Sequence, residues 1–409
     1  MALSTETRRT GGAKKWEVAD IIREFGESYR SKNKLPLAQL KVMHSIEVCR
    51  TAYLGGHAQK CDACGFEEYT YNSCRNRHCP KCQALTKARW VEDRKAELLP
   101  VGYFHNVFTL PHELNPIALC NRKEIFSMLF KAVSETLLQF GRNNLGGTMG
   151  FTAILHTWDQ RLLDHIHLHC VIAGGALCRD KTKWFRSKDN YLFSVEALSM
   201  VFRGKFIAHL QKAHAEGKLN FPGTMAKYAT ADGWATLITN LRSKNWVVFS
   251  KKPFAGPQAV LDYIGRYTHR VAISNNRIVN VQDGKVTFTY RDRKAGDILA
   301  FKTLDGEEFL RRFLLHVLPN GFMKIRHFGF LSNRHKKEKV QLCKELLGDK
   351  RPLSERVKKD PKELMLEVAG IDITKCPCCR EGTMTISLEM PYPSKLTPMI
   401  SSSAYSDSS

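Results

Sequence analysis

The chain has 409 residues, 43% hydrophobic and 25% charged, a globular balance whose length predicts two or three domains. Lys and Arg number 63 against 40 Asp and Glu, a net charge of +23. Because the excess is spread along the chain and not set beside an apolar anchor, it favours DNA or RNA over a membrane. No run of about 18 apolar residues occurs, so no membrane-spanning helix is expected. Met1–Lys15 is polar and basic, so no secretory leader is expected either. The thirteen cysteines therefore predict cytoplasmic thiols and metal ligands, not disulfides.

Residues 1–15 read as a flexible basic arm. Helical periodicity follows, with Leu37, Leu40, Met43 and Ile46 each three residues after the last. Two Cys-x-x-Cys turns, Cys61/Cys64 and Cys79/Cys82, are separated by 14 residues. Such a turn presents two sulfurs to one tetrahedral ion, so the pair predicts one structural Zn²⁺ that supplies folding energy to a segment too short for a core. Cys49, His57, Cys74 and His78 remain as ligands for a second zinc, or as small core residues. Arg75, Arg77 and Lys81 make the cluster basic and suit phosphate contact. Ala84–Leu99 reads as a helix with Lys87, Arg89, Arg94 and Lys95 on its polar side. These features define a helical, zinc-binding DNA module over 16–95.

From about residue 100 strands and helices alternate. Strands are predicted at Tyr103–Thr109, Phe151–Trp158, His165–Ala173 and Trp246–Ser250, and helices at Arg122–Phe140 and Val195–His214, the latter capped by Ser194. A mixture of this kind predicts an α+β domain on a mainly antiparallel sheet. On the strand from His165, alternation sets His165, His167 and His169 on one face, about 6.6 Å apart at the backbone. Three imidazoles on one face would repel if charged, and if buried they need solvation or a metal. His156, 11 residues before His167 and near the end of the preceding strand, is the expected third ligand; His165 and Gln258 are its rivals. Imidazole suits Mn²⁺ or Zn²⁺ better than Mg²⁺ by softness, and the residues do not choose the ion.

After a Pro/Gly turn, Pro253–Pro257, a helix is predicted to about His269. It sets Tyr263 and Tyr267 on one face, roughly 6 Å apart, with Arg266, His269 and Arg270 beside them to hold phosphates. A phenol with a pKa of about 10 needs help to act as a nucleophile. A neighbouring metal on the scissile phosphate would give it. Further on lie a hairpin (Ile278–Val281, Asp283-Gly284, Val286–Tyr290) and a helix, Glu307–Val317. Phe322–Lys339 mixes aromatic and basic residues, including Arg326 and Arg334. It reads either as a surface for single strands or as an amphipathic helix. Cys376-Pro-Cys378-Cys379 resembles half a zinc knuckle, with Cys343 and His335 as candidate partners, or else reads as a surface thiol cluster. The Ser/Pro-rich residues 391–409 are predicted to be disordered.

The motif His167-Leu168-His169 followed by tyrosines on a helix resembles the HUH endonucleases. The whole chain resembles one branch of them, the two-tyrosine transposases of IS91-type bacterial insertion sequences. The likeness rests on Tyr71–Cys82, Leu155–Trp158, His167–Gly175, Leu261–Ser274 and Ile325–Arg334. Ile166 stands where that family often has proline. The resemblance implies an HUH nuclease over 96–275 and a DNA-interacting extension over 276–390. It implies Tyr263 and Tyr267 as nucleophiles, with Mg²⁺ or Mn²⁺ at the histidines. It implies rolling-circle cleavage and rejoining of single-stranded transposon ends and target through 5′-phosphotyrosine, by a nucleoid-associated protein with no membrane partner. Plasmid replication initiators and relaxases share the chemistry and are the nearest rival. A non-catalytic zinc-dependent DNA-binding regulator is a second, and a zinc hydrolase a third.

Overall fold

The structure is a computed structural model that describes residues 15–251, 259–260, 265, 271–292, 295–349, 360, 363, 366–367, 370 and 372–391. Gln258, Tyr263, Arg266, Tyr267, His269 and Arg270 lie outside the described residues, as do the arm before Lys15 and the tail after Pro391.

The N-terminal part runs α1 (Val18–Lys32), α2 (Leu37–Glu47), β1 (Gly56–Cys61), β2 (Glu67–Tyr71) and α3 (Gln83–Lys95). The middle runs β3 (Tyr103–Thr109), α4 (Asn115–Cys120), α5 (Arg122–Leu145), β4 (Gly147–Trp158), β5 (Asp164–Cys178), β6 (Trp184–Arg186), α6 (Val195–Ala215), α7 (Ala231–Ser243) and β7 (Val248–Lys251). The last part runs β8 (Ile278–Gln282), β9 (Lys285–Asp292), β10 (Ile298–Asp305), α8 (Gly306–Leu315), β11 (Ile325–Gly329), α9 (Lys336–Leu346) and β12 (Met384–Met390).

The middle part is built on an antiparallel sheet of order β11-β4-β5-β3-β7, with β6 paired to the end of β5. Alternation along β5 decides the two faces. Ile166, Leu168, Cys170 and Ile172 join Phe104, Phe108, Phe151 and Leu155 in a core under α5 and α6, whose Leu129, Val133, Phe202 and Phe206 are buried against it. On the opposite face Tyr103, Ile154 and Val171 form a second buried cluster with Leu99, Val260, and Val340 and Cys343 of α9. The histidines of β4 and β5 lie on this second face. Helix α6 starts where the sequence predicts, the Ser194 side chain accepting a hydrogen bond from the Ala197 N–H.

A third core joins segments far apart in the chain. Ile21, Ile22, Met43 and Ile46 of α1 and α2 are buried with Val286, Phe288, Phe309 and Phe313 of the β8–β10 hairpins and α8. At the start of α8 a Cβ on Gly306 would overlap the Phe25 ring, so only glycine admits this approach. Ser28 donates to Glu307, 279 residues away, at 2.6 Å.

Some elements depart from the sequence reading. The helix expected over Ala84–Leu99 stops at Lys95. Within Phe322–Lys339, residues 325–329 form an edge strand on β4 and only the end is helical. Phe328 stacks on Phe151 with ring centroids 5.1 Å apart, so this stretch belongs to the sheet and not to a free aromatic surface. α7, β10 and β12 are further elements not anticipated. No helix among the described residues is long and apolar enough to cross a membrane.

Candidate metal centres

The pairing of β4 with β5 sets His156 directly opposite His167. Two residues along β5, His169 points to the same face. Ring nitrogens of His156, His167 and His169 lie within 4.8 Å of one another, and the three residues are only 3%, 7% and 8% exposed. The Nε2 atoms of His167 and His169 are 3.1 Å apart. Two imidazole nitrogens on one tetrahedral ion would be about 3.3 Å apart for bonds of about 2.05 Å.

The far side of each ring explains why the Nε2 atoms converge. His167 Nδ1 donates to the carbonyl oxygen of His165 at 2.7 Å. His169 Nδ1 lies 2.9 Å from Nε2 of His105, on the neighbouring strand β3. Burial, then the charge of Lys251, push the His105 pKa down to about 4, so this imidazole is neutral and able to accept the Nδ1 proton of His169. With both Nδ1 atoms protonated, both Nε2 lone pairs face the same point. His156 is braced by Trp158, stacked at 4.8 Å. His165 shares the face but is exposed, and its ring nitrogens are not in the converging group.

The tyrosine segment is described at few positions. Val260 is buried in the same cluster as Ile154 and Val171, each two residues from a histidine of the group. A Cβ on Gly265 would come within 3.0 Å of Val91 and 3.2 Å of Lys87, so the backbone there runs close against α3.

The cysteines are partnered differently from the sequence reading. Cys79 and Cys82 do not meet Cys61 and Cys64; they meet Cys49 and Cys74. In this cluster Cys49 and Cys82 sulfurs are 3.3 Å apart, Cys74 and Cys82 3.6 Å, and Cys49 and Cys79 3.6 Å. Sulfur atoms on one tetrahedral zinc would be about 3.8 Å apart for bonds of about 2.3 Å. Thiols of Cys49, Cys74 and Cys79 around Cys82 hold its sulfur well below the ordinary thiol range. Cys61 and Cys64 instead gather with Cys376 and Cys379. The two turns sit on different elements: Cys61 ends β1 and Cys64 lies in the β1–β2 connection, while Cys79 and Cys82 lead into α3. His57 lies on β1 between Thr70 and Glu389, and His78 is half-buried beside Arg77 and Lys324; neither joins a cysteine group. Cys343 is buried in the core under α9, and His335 pairs with Glu338, so neither partners the C-terminal turn.

Residues 21–110 match the family described as "Transposase zinc-binding domain" of the IS91 type, and residues 150–339 the family described as "Putative transposase". The chain is 47% identical over 379 residues to "Putative transposase y4qJ" of Sinorhizobium fredii, covering 91% of this chain and 95% of that one. The chain belongs to the IS91-type transposase family. This transposase is also 27% identical over 299 residues to "Transposase for insertion sequence element IS801" of Pseudomonas savastanoi pv. phaseolicola, covering 72% and 71% of the two chains. No solved structure matches it.

The transposase uses several of its expected DNA-contacting cations internally. Arg77 donates to the carbonyl oxygens of Phe322 and Pro319 at 2.6 and 3.0 Å. Lys81 pairs with Glu17. The Arg326 guanidinium lies 4.2 Å from the Phe130 ring centroid. Arg75 and Arg334 are exposed. Residues missed by sequence reasoning are His105, legible only as the third residue of a predicted strand, and Lys324. Burial, then Arg77, bring the Lys324 pKa down to about 7. It lines a small cavity with Trp158, His78 and His316.

Proposed function

We propose that this transposase is a two-tyrosine HUH nuclease that moves its element by a rolling-circle route. It cuts one DNA strand, keeps the 5′ end as phosphotyrosine, and passes that end to another 3′ hydroxyl. The observation that carries the reading is the convergence of His156, His167 and His169 on one sheet face. Their nitrogens can hold a divalent ion, with Mn²⁺ favoured over Mg²⁺ by softness, which when bound would withdraw charge from a non-bridging oxygen of the scissile phosphate. The protein's own groups do the rest. The phenol oxygen of Tyr263 or Tyr267 bonds to phosphorus as the bond to the 3′ oxygen breaks, and the phenolic proton ends on the freed 3′ hydroxyl. Attack by a DNA 3′ hydroxyl reverses each change, and no ATP is needed because the adduct is a phosphate diester like the bond it replaced. The second phenol, four residues along the chain, holds a second end. Arg266 and Arg270 neutralise the phosphates. Of the neighbouring described residues, Val260 is buried with Ile154 and Val171 on the histidine face, and Gly265 lies close to Val91 of α3. In the same reading Cys49, Cys74, Cys79 and Cys82 hold a structural Zn²⁺ in the N-terminal DNA module.

The test is incubation with single-stranded DNA from the element's ends and Mn²⁺ or Mg²⁺. The expected result is a protein–DNA band on a denaturing gel, with the nucleotide on Tyr263 or Tyr267 by mass spectrometry. Tyr263→Phe/Tyr267→Phe keeps both rings and is expected to give no adduct. A normal yield from that double variant, or an adduct on another residue, overturns the mechanism.

A further inference from the structure

We propose that Cys61, Cys64, Cys376 and Cys379 form a second zinc site, which fastens the C-terminal strand onto the N-terminal module. The family match to a zinc-binding domain spans residues 21–110 and so contains two of these four ligands. The other two arrive from more than 300 residues away: Cys64 and Cys376 sulfurs are 3.7 Å apart across a separation of 312 residues, and Cys61 and Cys379 sulfurs 3.7 Å across 318. That spacing is close to the edge of about 3.8 Å expected of four sulfurs on one zinc and far from a disulfide bond of about 2.05 Å.

The two turns are built alike. In each, the residue after the second cysteine is left-handed, Gly65 at φ +72° and Arg380 at φ +62°. In each, its N–H donates to the carbonyl oxygen of the first cysteine, at 3.2 and 3.0 Å. Backbone N–H groups also point at the sulfurs. Cys64 donates to Cys61 at 3.5 Å, Cys378 to Cys376 at 3.4 Å, and Gly382 to Cys379 at 3.3 Å. Such bonds stabilise thiolates, the form that binds zinc. A Cβ on Gly382 would overlap the Cys61 sulfur, so glycine lets the two turns close on each other. Between the turns Asp62 accepts the Thr383 N–H at 2.8 Å and donates its own N–H to the Thr383 carbonyl at 3.2 Å.

Little else holds this end together. Its buried apolar cluster is Cys61, Cys376 and Met384, with Phe66 and Cys379 partly buried. So small a core contributes little, and a metal supplies the missing folding energy. From there β12 pairs antiparallel with β1, from Cys61↔Met384 to Gly56↔Met390, with one bulge between Ala58 and Gln59. The zinc module is thus completed only when the C-terminal end of the chain is in place. Tetrahedral S₄ coordination suits zinc or a single iron; we assign zinc.

The test uses the full chain, purified under reducing conditions without chelator, and needs no DNA cleavage. Cys376→Ser/Cys379→Ser is expected to hold one tightly bound zinc per chain fewer than the wild type. Because that variant can fail to fold, alkylation of the wild-type protein provides the second measurement. Cys64 is exposed like Cys120 and Cys378. As a zinc ligand it is expected to react at least about tenfold more slowly than those two, with the protection lost on chelation. Unchanged zinc content in the variant, or Cys64 reacting as fast as Cys120 in untreated protein, overturns the site. Loss of iron in place of zinc overturns the choice of ion.

Discussion

The histidine centre and the cysteine cluster below α2 gather candidate metal ligands in opposite ways. His156, His167 and His169 stand on paired strands of a sheet packed on both faces; the second nitrogens of His167 and His169 are held by the His165 carbonyl and by His105, and the His156 ring stacks on Trp158. The scaffold places them. Cys49, Cys74, Cys79 and Cys82 stand on turns and helix ends, with no sheet between them. There the proposed ion would organise the backbone, and not the reverse. A site of the first kind tolerates loss of a ligand without loss of fold; a site of the second kind does not.

The largest expected effect tests the second half of that contrast. Cys79→Ser/Cys82→Ser, or prolonged chelation, is expected to remove a structural ion whose binding is worth about 10–16 kcal/mol. Hydrogen exchange on the double variant should then show residues 72–82 unprotected while β4 and β5 stay protected. Equal protection in both regions would break the comparison. Next, His169→Ala is expected to lower the cleavage rate on the order of 10³-fold, the several kcal/mol that a Lewis acid supplies. Thermal unfolding and binding to single-stranded DNA should change little, because phosphate contacts elsewhere dominate affinity. A variant that unfolds instead would show that the sheet needs the ion too.

A smaller change sharpens the histidine half. His105→Phe keeps a ring but removes the partner of His169 Nδ1. It is expected to weaken Mn²⁺ binding roughly 10–100-fold, as loss of a group behind a metal ligand does, while His105→Gln restores part of it. Identical affinity in the phenylalanine variant would mean that His169 needs no brace. The smallest change is a calibration. Ser194→Ala is expected to cost about 1 kcal/mol through the lost cap on α6, read by urea denaturation, with metal content and cleavage unchanged.

The two halves of this contrast were not equally legible in the sequence. The histidine strand could be read because a period of two is a local property, and a short connection brings the strand before it alongside; His156 opposite His167 follows from that pairing. The cysteine turns could be recognised one by one but not matched. Cys61/Cys64 and Cys79/Cys82 are near each other in sequence, yet β1 and α3 carry them to different places, and the partners of the first turn lie at the other end of the chain. His105 was hidden for a related reason. A histidine in a predicted strand has no visible role until the neighbouring strand and its register are known. Arg77, Lys81 and Arg326 read as phosphate ligands because charge is all a sequence reports. The structure shows each bound to its own protein.

The sequence by itself determined the family, the charge, the α+β alternation and the separate Cys-x-x-Cys and His-x-His motifs. All of these depend on residue type and short spacing, which survive without coordinates. Only the tertiary structure decided which cysteines share a cluster, which cations are already engaged, and that α1 and α2 build one core with residues 272–317. Those are contacts between segments hundreds of residues apart. Closing such loops costs entropy that grows only slowly with their length, so spacing along the chain says little about which distant partners meet. The choice falls to the direction in which each strand and helix delivers its turn.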